Sequence, residues 1–177
     1  MNPLTVTWSP HKYTEIGWKN FENWIHEGGL DNILFTPNGK LHRYLTKEEF
    51  TKLLHPFQPF IVGQRIIGPM MAAKFNVKLV FYGENQAEYG NNVDENYTPT
   101  MDKKFFSVDD PMDIMLGGKS IRDIISETDF KLNDFKPYIP PKAEYLESKG
   151  VEVHYLGYYL PWDPQECYYY ATENTGF

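Results

Sequence analysis

The chain of 177 residues is 41% hydrophobic and carries a formal net charge of −7. This length supports one domain with a substantial core, and the acidic charge disfavours a nucleic-acid partner, because phosphate binding needs a clustered positive field. The single cysteine, Cys167, excludes an intramolecular disulfide framework and a cage of thiolate ligands. The sequence has no apolar stretch of about 18 residues and no signal-peptide pattern, so we expect a soluble, cytoplasmic protein without membrane insertion.

Strands and helices are predicted to alternate at the start of the chain. Leu4 to Trp8 has strand composition and is soon followed by a proline. Apolar residues at helical spacing then predict a helix from about Thr14 to Glu27, which two glycines end. Ile33 to Phe35 predicts a second short strand, closed by a turn at residues 37–39. The order strand, helix, strand is typical of a parallel βαβ unit.

Two further helices are predicted before the third strand. Thr46 and Glu49 have the spacing of a capping box, which predicts a helix from about Lys47 to Leu54. Small and apolar residues from Ile61 to Phe75 predict a buried helix. The Gly68-Pro69 pair is expected to kink or split this helix, because proline has no backbone N–H to donate.

The third predicted strand is the most informative stretch of the chain. Four residues, Leu79 to Tyr82, form an apolar run that stops at Gly83, which predicts a strand buried on both faces. Ligands of open α/β sheets bind beyond the carboxyl ends of strands, where Glu84, Asn85 and Glu88 follow. In a helix the two carboxylates would share one face and could hold Mg²⁺, with the amide nearby. Ordinary surface carboxylates on a loop are the alternative interpretation.

After residue 90 the pattern changes to short elements. A polar, turn-rich segment is followed by helical candidates at Pro111 to Leu116 and Ser120 to Glu127. This pattern predicts an insertion or lid over residues 91–139.

Residues 140–177 are predicted to extend the same domain. They contain a helix to about Ser148, an alternating strand from Val151 to Leu156 and a last helix capped by Asp163. Together with an α/β nucleotide-binding-like core over residues 1–90, this predicts a parallel sheet with flanking helices and a mixed C-terminal extension.

The segment Gly117-Gly118-Lys119-Ser120 has the composition of a phosphate-binding loop. A P-loop needs a glycine at position 113, where this chain has Asp113, and it needs a buried strand before the loop, which the sequence does not predict. A turn with Ser120 as the N-cap of a helix explains all four residues. We therefore interpret the segment as a structural turn and not as a phosphate-binding loop.

The remaining reactive and aromatic side chains give weaker signals. The five histidines have no metal-ligand spacing, and no serine lies in a nucleophile-elbow context. Cys167 has no defined base and is expected to be a packed thiol. A cluster of tyrosines near the C-terminus suits sugar stacking and core packing alike, and core packing is the simpler interpretation. The cluster contains Tyr155, Tyr158, Tyr159, Tyr168, Tyr169 and Tyr170.

Several motifs, taken in order, resemble one protein family. They are Thr5 to Trp8, Trp18-Lys19-Asn20-Phe21, Asp31 to Lys40, His55 to Phe60, Phe81 to Asn85 with Glu88-Tyr89-Gly90, Trp162 to Glu166, and Ala171 to Phe177. The family is that of the bacterial N-acetyl sugar amidotransferases, which act in surface-polysaccharide (O-antigen or capsule) and flagellin-sugar biosynthesis. The resemblance covers almost the whole chain.

The resemblance implies a PP-loop ATP pyrophosphatase fold, which is similar to that of the adenine-nucleotide alpha-hydrolases. In the implied reaction, ATP adenylates the acetamido oxygen of a nucleotide-linked or nonulosonic sugar, and ammonia displaces AMP to leave an acetamidino group. A glutaminase partner is expected to supply the ammonia. Such a step needs Mg²⁺, oriented donors on the pyrophosphate, and a dry pocket that protects the activated sugar from water.

The resemblance also implies roles for individual residues. Glu84, Asn85 and Glu88 are the candidate catalytic residues, and the two glutamates are the candidate Mg²⁺ ligands. The positions that border the adenosine of ATP in related enzymes are matched by Thr7, Trp8, Ser9, His11 and Thr36.

The chain departs from the family in one important respect. The family's Ser-Gly-Gly-x-Asp-Ser phosphate loop does not occur in the sequence, nor does its cysteine-bearing N-terminal segment, and the family continues into further helices beyond Phe177. We therefore expect an internal piece of the enzyme, with the first strand of the fold absent, that is inactive alone.

Two other functions also fit residues of the chain. The aromatic segment from Tyr155 to Tyr170 is suited to a non-catalytic carbohydrate-binding or partner-binding module, provided that its rings are exposed. A retaining-type hydrolase with Glu84 and Glu88 as its two carboxylates requires carboxyl groups about 5 to 5.5 Å apart across an open cleft.

Overall fold

The computed structural model describes residues 3–83 and 97–177. The strands and helices are, in chain order, β1 (Leu4–Trp8), α1 (Glu15–His26), β2 (Asp31–Phe35), α2 (Gly39–Leu53), α3 (Gln58–Phe75), β3 (Leu79–Tyr82), β4 (Met115–Leu116), β5 (Lys119–Ser120), α4 (Ile121–Glu127), α5 (Ala143–Ser148), β6 (Glu152–Tyr155) and α6 (Pro164–Asn174). Short 3₁₀ helices lie at Lys103–Phe105, Pro111–Asp113, Leu132–Tyr138 and Leu156–Tyr158.

Contacts divide the chain into two compact units. The first unit comprises the described residues of Met1–Phe35, Gly83–Pro99 and Tyr155–Phe177, and the second comprises Thr36–Tyr82 and Thr100–His154. The first contains β1, α1, β2 and α6. Of the buried apolar residues among those described, all except Trp8 and Tyr155 belong to the second unit, which therefore holds the main hydrophobic core.

The start of the chain forms the predicted strand, helix, strand unit. β1 and β2 pair in parallel, with Leu4 opposite Asp31 and Trp8 opposite Phe35. Thr14 caps the connecting helix α1, because its hydroxyl oxygen accepts the backbone N–H of Gly17 at 2.9 Å. The predictions of both strands and of the helix between them are confirmed.

The described strands form small sheets, and the architecture is a mixed α/β one. β1 pairs with β2, β3 pairs with β6, and β4 pairs with β5, each in a two-stranded sheet. The β4–β5 pair is antiparallel. The parallel arrangement expected from the sequence is therefore found in the β1–β2 pair.

The third strand is less buried than its composition predicts. Leu79 and Phe81 are exposed, whereas Val80 and Tyr82 are half-buried. The two half-buried side chains point to α3, where they lie next to Gly68. The prediction of burial on both faces is wrong, because β3 packs on a helix on one side only.

Helix α2 begins earlier than the sequence predicts. Asn38 is its N-cap, and the side-chain oxygen of Asn38 accepts the backbone N–H groups of Lys40 and Leu41. The predicted capping box of Thr46 and Glu49 is therefore wrong, because both residues lie inside the helix. The apolar pair Leu41 and Leu45, four residues apart and fully buried, extends the packed face upstream of that point.

Glu49 caps the next helix instead of its own. Its side chain is 2% exposed, and Oε2 accepts the backbone N–H of Gln58, the first residue of α3, at 2.8 Å. His55 Nδ1 lies 3.5 Å from the other carboxylate oxygen. Burial raises the pKa of the Glu49 carboxyl, because desolvation disfavours the charged form.

Helix α3 runs unbroken through the Gly68-Pro69 pair, so the expected split does not occur. Pro69 cannot donate a hydrogen bond to the carbonyl of Arg65, four residues earlier. The Tyr82 hydroxyl donates to that carbonyl at 2.7 Å. Gly68 permits this approach, because a Cβ there would lie 2.9 Å from the Tyr82 hydroxyl oxygen. A side chain from β3 thus replaces the missing backbone donor.

The glycine pair after β4 forms the predicted turn, and this turn joins the antiparallel strands β4 and β5 in a hairpin that the sequence did not predict. Gly117 and Gly118 have φ angles of +61° and +75°, which suits a two-residue hairpin loop. Ser120 then caps α4 by accepting the backbone N–H of Asp123. The helix predicted over Pro111 to Leu116 is wrong, because a single 3₁₀ turn there leads into the short strand β4.

The C-terminal elements follow the predicted order of helix, strand and helix. Gly150, with a φ angle of +64°, separates α5 from β6. Asp163 caps α6 by accepting the backbone N–H groups of Gln165 and Glu166. Within residues 3–83 and 97–177, no helix combines the length and apolar character needed to cross a membrane.

Replacing Tyr82 with phenylalanine should lower the free energy of unfolding by about 1 to 2 kcal/mol, because the Arg65 carbonyl loses a donor. In a Pro69→Ala background the restored N–H can bond to the same carbonyl, so the loss should be smaller. Urea denaturation of the four chains gives this coupling as a double-mutant cycle. Equal losses in both backgrounds would contradict the proposed replacement of the backbone donor.

Glu49→Gln should change the pH dependence of stability. The raised pKa of Glu49 means that the folded state binds this proton more tightly than the unfolded state, so its contribution to stability falls as pH rises. The wild type should therefore lose stability relative to Glu49→Gln between about pH 4 and pH 7. Urea denaturation at both pH values measures the difference, with His55→Gln added to both chains to remove the neighbouring titration. Parallel pH profiles would contradict the assignment.

Candidate functional site

The residues predicted to carry catalysis and Mg²⁺ binding, Glu84, Asn85 and Glu88, lie outside the described residues. The strand that leads to them, β3, ends at Tyr82, and Gly83 is the last described residue before them. The carboxyl separation that the hydrolase hypothesis requires likewise falls outside the described part of the chain. Among the residues that the structure describes, no group of three or more His, Cys, Asp or Glu side chains could hold a metal ion.

Three residues predicted to border adenosine lie at the carboxyl end of β1. Thr7 and Trp8 are the last two residues of the strand, and Ser9 follows directly. The backbone N–H of Ser9 donates to the carbonyl of Phe35 at 2.8 Å, which continues the parallel pairing beyond the strand end. The Ser9 side chain is half-buried, and its hydroxyl donates to the carbonyl of Pro10 at 3.3 Å.

The Trp8 ring takes part in packing at the strand end. It is 3% exposed and stacks on the ring of Phe35, with centroids 5.2 Å apart and planes 24° apart. Stacked aromatic pairs of this kind add to the free energy of area burial. The pair fixes the ends of β1 and β2 side by side.

The Thr7 hydroxyl is part of a side-chain network across the strand pair. The Asn32 side-chain nitrogen donates to the hydroxyl oxygens of Thr5 at 2.8 Å and Thr7 at 3.0 Å. Both threonines point to the same side of the strand, because side chains alternate along it. Because the Thr7 hydroxyl oxygen acts as the acceptor in this network, the hydroxyl can still donate its proton to a ligand.

The other two predicted adenosine residues are exposed. His11 lies in the loop between β1 and α1, and Thr36 directly follows the last residue of β2. The five predicted positions thus comprise two residues on β1 and three that follow a strand end. Parallel pairing brings the ends of β1 and β2 to the same edge of their sheet.

The shifted pKa values belong to groups of the second unit that have structural partners. Burial raises the pKa of the Tyr138 hydroxyl, which lies 2.6 Å from Nδ1 of His42. The hydrogen bond to Glu127 is the main cause that raises the pKa of Lys119. Desolvation raises the pKa of Tyr44. These groups lie on α2, around the β4–β5 hairpin and in the 3₁₀ segment Leu132–Tyr138. We therefore attribute their pKa shifts to packing within the second unit.

The tyrosine cluster lies mostly at the surface, contrary to the simpler of its two interpretations. Tyr155 alone of the six is buried. The other five are exposed, and the largest exposed fraction is 66%, at Tyr170. The core-packing interpretation is therefore wrong for these five. Tyr168, Tyr169 and Tyr170 lie on α6, where every residue from Pro164 to Tyr170 is exposed, and Tyr158 and Tyr159 lie at the end of the 3₁₀ helix before it. Cys167, expected to be a packed thiol, is exposed on the same helix.

One side of α6 combines exposed aromatic rings with carboxylates. It comprises Asp163, Gln165, Glu166, Tyr169, Tyr170 and Glu173. We call this set the tyrosine–carboxylate face. Spacings of three and four residues along the helix could have indicated this shared face from the sequence.

A scan of the chain against protein-family models and a comparison with curated proteins each find no match. The functional assignment therefore depends on the residues of the chain and on their placement.

Proposed function

We propose that this chain forms the adenosine-binding side and part of the sugar pocket of an ATP-dependent N-acetyl sugar amidotransferase of the PP-loop type. The reaction converts the acetamido group of a nucleotide-linked or nonulosonic sugar to an acetamidino group, with ammonia from a glutaminase partner. The parallel β1–β2 pair supports this proposal, because it brings the residues that follow both strands to one edge of a sheet. The process served would be cytoplasmic synthesis of surface-polysaccharide or flagellin sugars.

The groups at these strand ends fit the adenosine part of ATP better than its phosphates. Thr7, Ser9 and Thr36 offer hydroxyls, which can hydrogen-bond a ribose or an adenine ring. The backbone N–H of Ser9 already donates to Phe35, so it is occupied in the strand pairing. Phosphate binding by a loop needs several free backbone N–H groups, and the sequence has no Ser-Gly-Gly-x-Asp-Ser loop to supply them.

The proposed chemistry assigns separate tasks to the cofactors and to the chain. ATP supplies the activation that turns the acetamido oxygen into a leaving group. Glu84 and Glu88 have the oxygen donors that Mg²⁺ prefers, and Asn85 would orient the sugar amide. Because the phosphate loop is missing from the sequence, we expect the chain alone to be inactive.

Calorimetric titration should show that AMP and Mg·ATP bind with affinities within about threefold of each other, because nothing grips the outer phosphates. Ser9→Ala and Thr36→Val should each weaken the binding of both nucleotides by about two- to tenfold, which is the effect of one lost hydrogen bond. Ser126→Ala, an exposed serine on α4, is the matched control and should bind as the wild type does.

Three outcomes would overturn parts of this proposal. Mg·ATP binding far tighter than AMP binding would show that a phosphate grip exists. Binding of neither nucleotide would remove the adenosine assignment. Measured conversion of an acetamido group to an acetamidino group by the chain alone would contradict the expected inactivity.

A second candidate function is a non-catalytic binding module for carbohydrate or for a protein partner. The exposure of five clustered tyrosines supports it, because exposed aromatic residues in a cluster are typical of interaction surfaces. This candidate does not need ATP, Mg²⁺ or the carboxylate segment around Glu84.

The double substitution Tyr169→Ala and Tyr170→Ala tests whether these rings serve binding or packing. If they serve binding, the free energy of unfolding should change by less than about 0.5 kcal/mol, as for surface residues. The contrasting variant is Tyr138→Ala, which removes a fully buried ring and should lower the free energy of unfolding by about 3 to 5 kcal/mol. Chemical denaturation measures both. A loss above about 2 kcal/mol at the α6 pair would show a packing role and remove this candidate.

A further inference from the structure

The negative charge of the chain is concentrated in the first unit. Its described residues include seven Asp and Glu residues against two lysines, Lys12 and Lys19. The second unit has thirteen acidic residues against fifteen Lys and Arg residues, so its charge is nearly balanced. From Tyr155 to Phe177 the sequence contains three carboxylates and neither lysine nor arginine. The surface around α6 therefore attracts cations.

The tyrosine–carboxylate face places rings next to carboxylates along one side of α6. Glu166 and Tyr170 are four residues apart, and so are Tyr169 and Glu173. Residues at this spacing are neighbours on a helix surface. Each of these two tyrosine rings therefore has a carboxylate one turn away. Trp162, which is 58% exposed, adds a further aromatic group just before the helix.

This combination suits a guanidinium group better than a neutral sugar or a metal ion. A guanidinium stacks on an aromatic ring and bonds a carboxylate with its planar fork of donors. A neutral sugar would gain from the rings but nothing from the charge. The carboxylates here belong to no group that could hold a metal ion among the residues described.

The chain already uses cation–ring contacts elsewhere. Arg65 Cζ lies 5.2 Å from the ring centroid of Phe105, and Lys149 Nζ lies 5.9 Å from that of Tyr145. These distances are typical of attractive cation–π contacts. For Tyr169 and Tyr170 no such cation is available from the surrounding sequence, because Tyr155 to Phe177 lacks lysine and arginine.

We infer that the tyrosine–carboxylate face of α6 docks an arginine-bearing segment of a partner protein. Arginine guanidinium groups stack on Tyr169 and Tyr170 and pair with Glu166 and Glu173. This inference rests on the second candidate function, the binding module, and it names the chemistry of the partner. It does not depend on nucleotide binding at the β1–β2 edge.

Calorimetric titration of the full chain with an octa-arginine peptide tests the docking. Octa-lysine, which has the same charge but no planar guanidinium, should bind at least about threefold more weakly. Tyr170→Ala should weaken octa-arginine binding by roughly three- to tenfold, as should the Glu166→Gln and Glu173→Gln pair. Binding should also weaken as salt concentration rises.

Two matched control variants lie on α5 in the second unit. Tyr145→Ala removes an exposed tyrosine, and Glu144→Gln removes an exposed carboxylate nearby. Both should leave octa-arginine affinity unchanged. If they weaken binding as much as the α6 variants do, the peptide binds through diffuse charge and the inference is wrong.

Chitotetraose, a neutral N-acetylated oligosaccharide, separates the inference from the function on which it rests. If it binds in a Tyr170-dependent way while octa-arginine does not bind, the binding module stands and the arginine partner is wrong. If neither ligand binds, both the inference and this candidate function are overturned. Equal octa-arginine and octa-lysine affinities would also overturn the inference, because guanidinium stacking would then contribute nothing.

Discussion

The carboxylate of Glu49 is the point at which the packed elements of the second unit meet. It is nearly inaccessible to water and bonds the first backbone N–H of α3. Gln58, which supplies that N–H, also holds the β4–β5 hairpin, because its side-chain amide donates to the carbonyl of Met115 and accepts the N–H of Gly117. A Cβ at Gly117 would lie 2.9 Å from the carbonyl of Leu45 on α2. One buried acid thus connects two helices and, through Gln58, a hairpin.

Local sequence patterns predicted the elements whose partners are near in sequence. The Asp163 cap, the Gly117-Gly118 turn and the strand–helix–strand start all depend on contacts within a few residues or on simple periodicity. Glu49 shows where this reasoning ends. Its spacing from Thr46 matches a capping box, yet its partner is nine residues further along, at the start of another helix. Spacing within one helix carries no information about such a partner.

The burial of β3 and of the tyrosines could not be predicted for a related reason. Four apolar residues in a row have the same composition whether one face of the strand is covered or both. That outcome depends on how many elements pack against Leu79 and Phe81. Likewise, tyrosine suits a core and a surface equally, and only the placement of α6 and of the 3₁₀ helix before it decides between them. For the tyrosine–carboxylate face, residue spacing along the helix can indicate which side chains share a side, whereas their exposure depends on where α6 lies.

The replacement of a backbone donor in α3 by the Tyr82 hydroxyl limits the order in which this protein could have acquired its sequence. Proline at position 69 leaves the Arg65 carbonyl without a helical donor, so it is tolerated best once a hydroxyl stands at position 82. In the reverse direction, loss of the tyrosine hydroxyl costs less stability once the proline is gone. Tyr82 is also the last residue of β3, the strand that leads to Glu84. A proline inside α3 therefore restricts which residues are tolerated at the end of this strand.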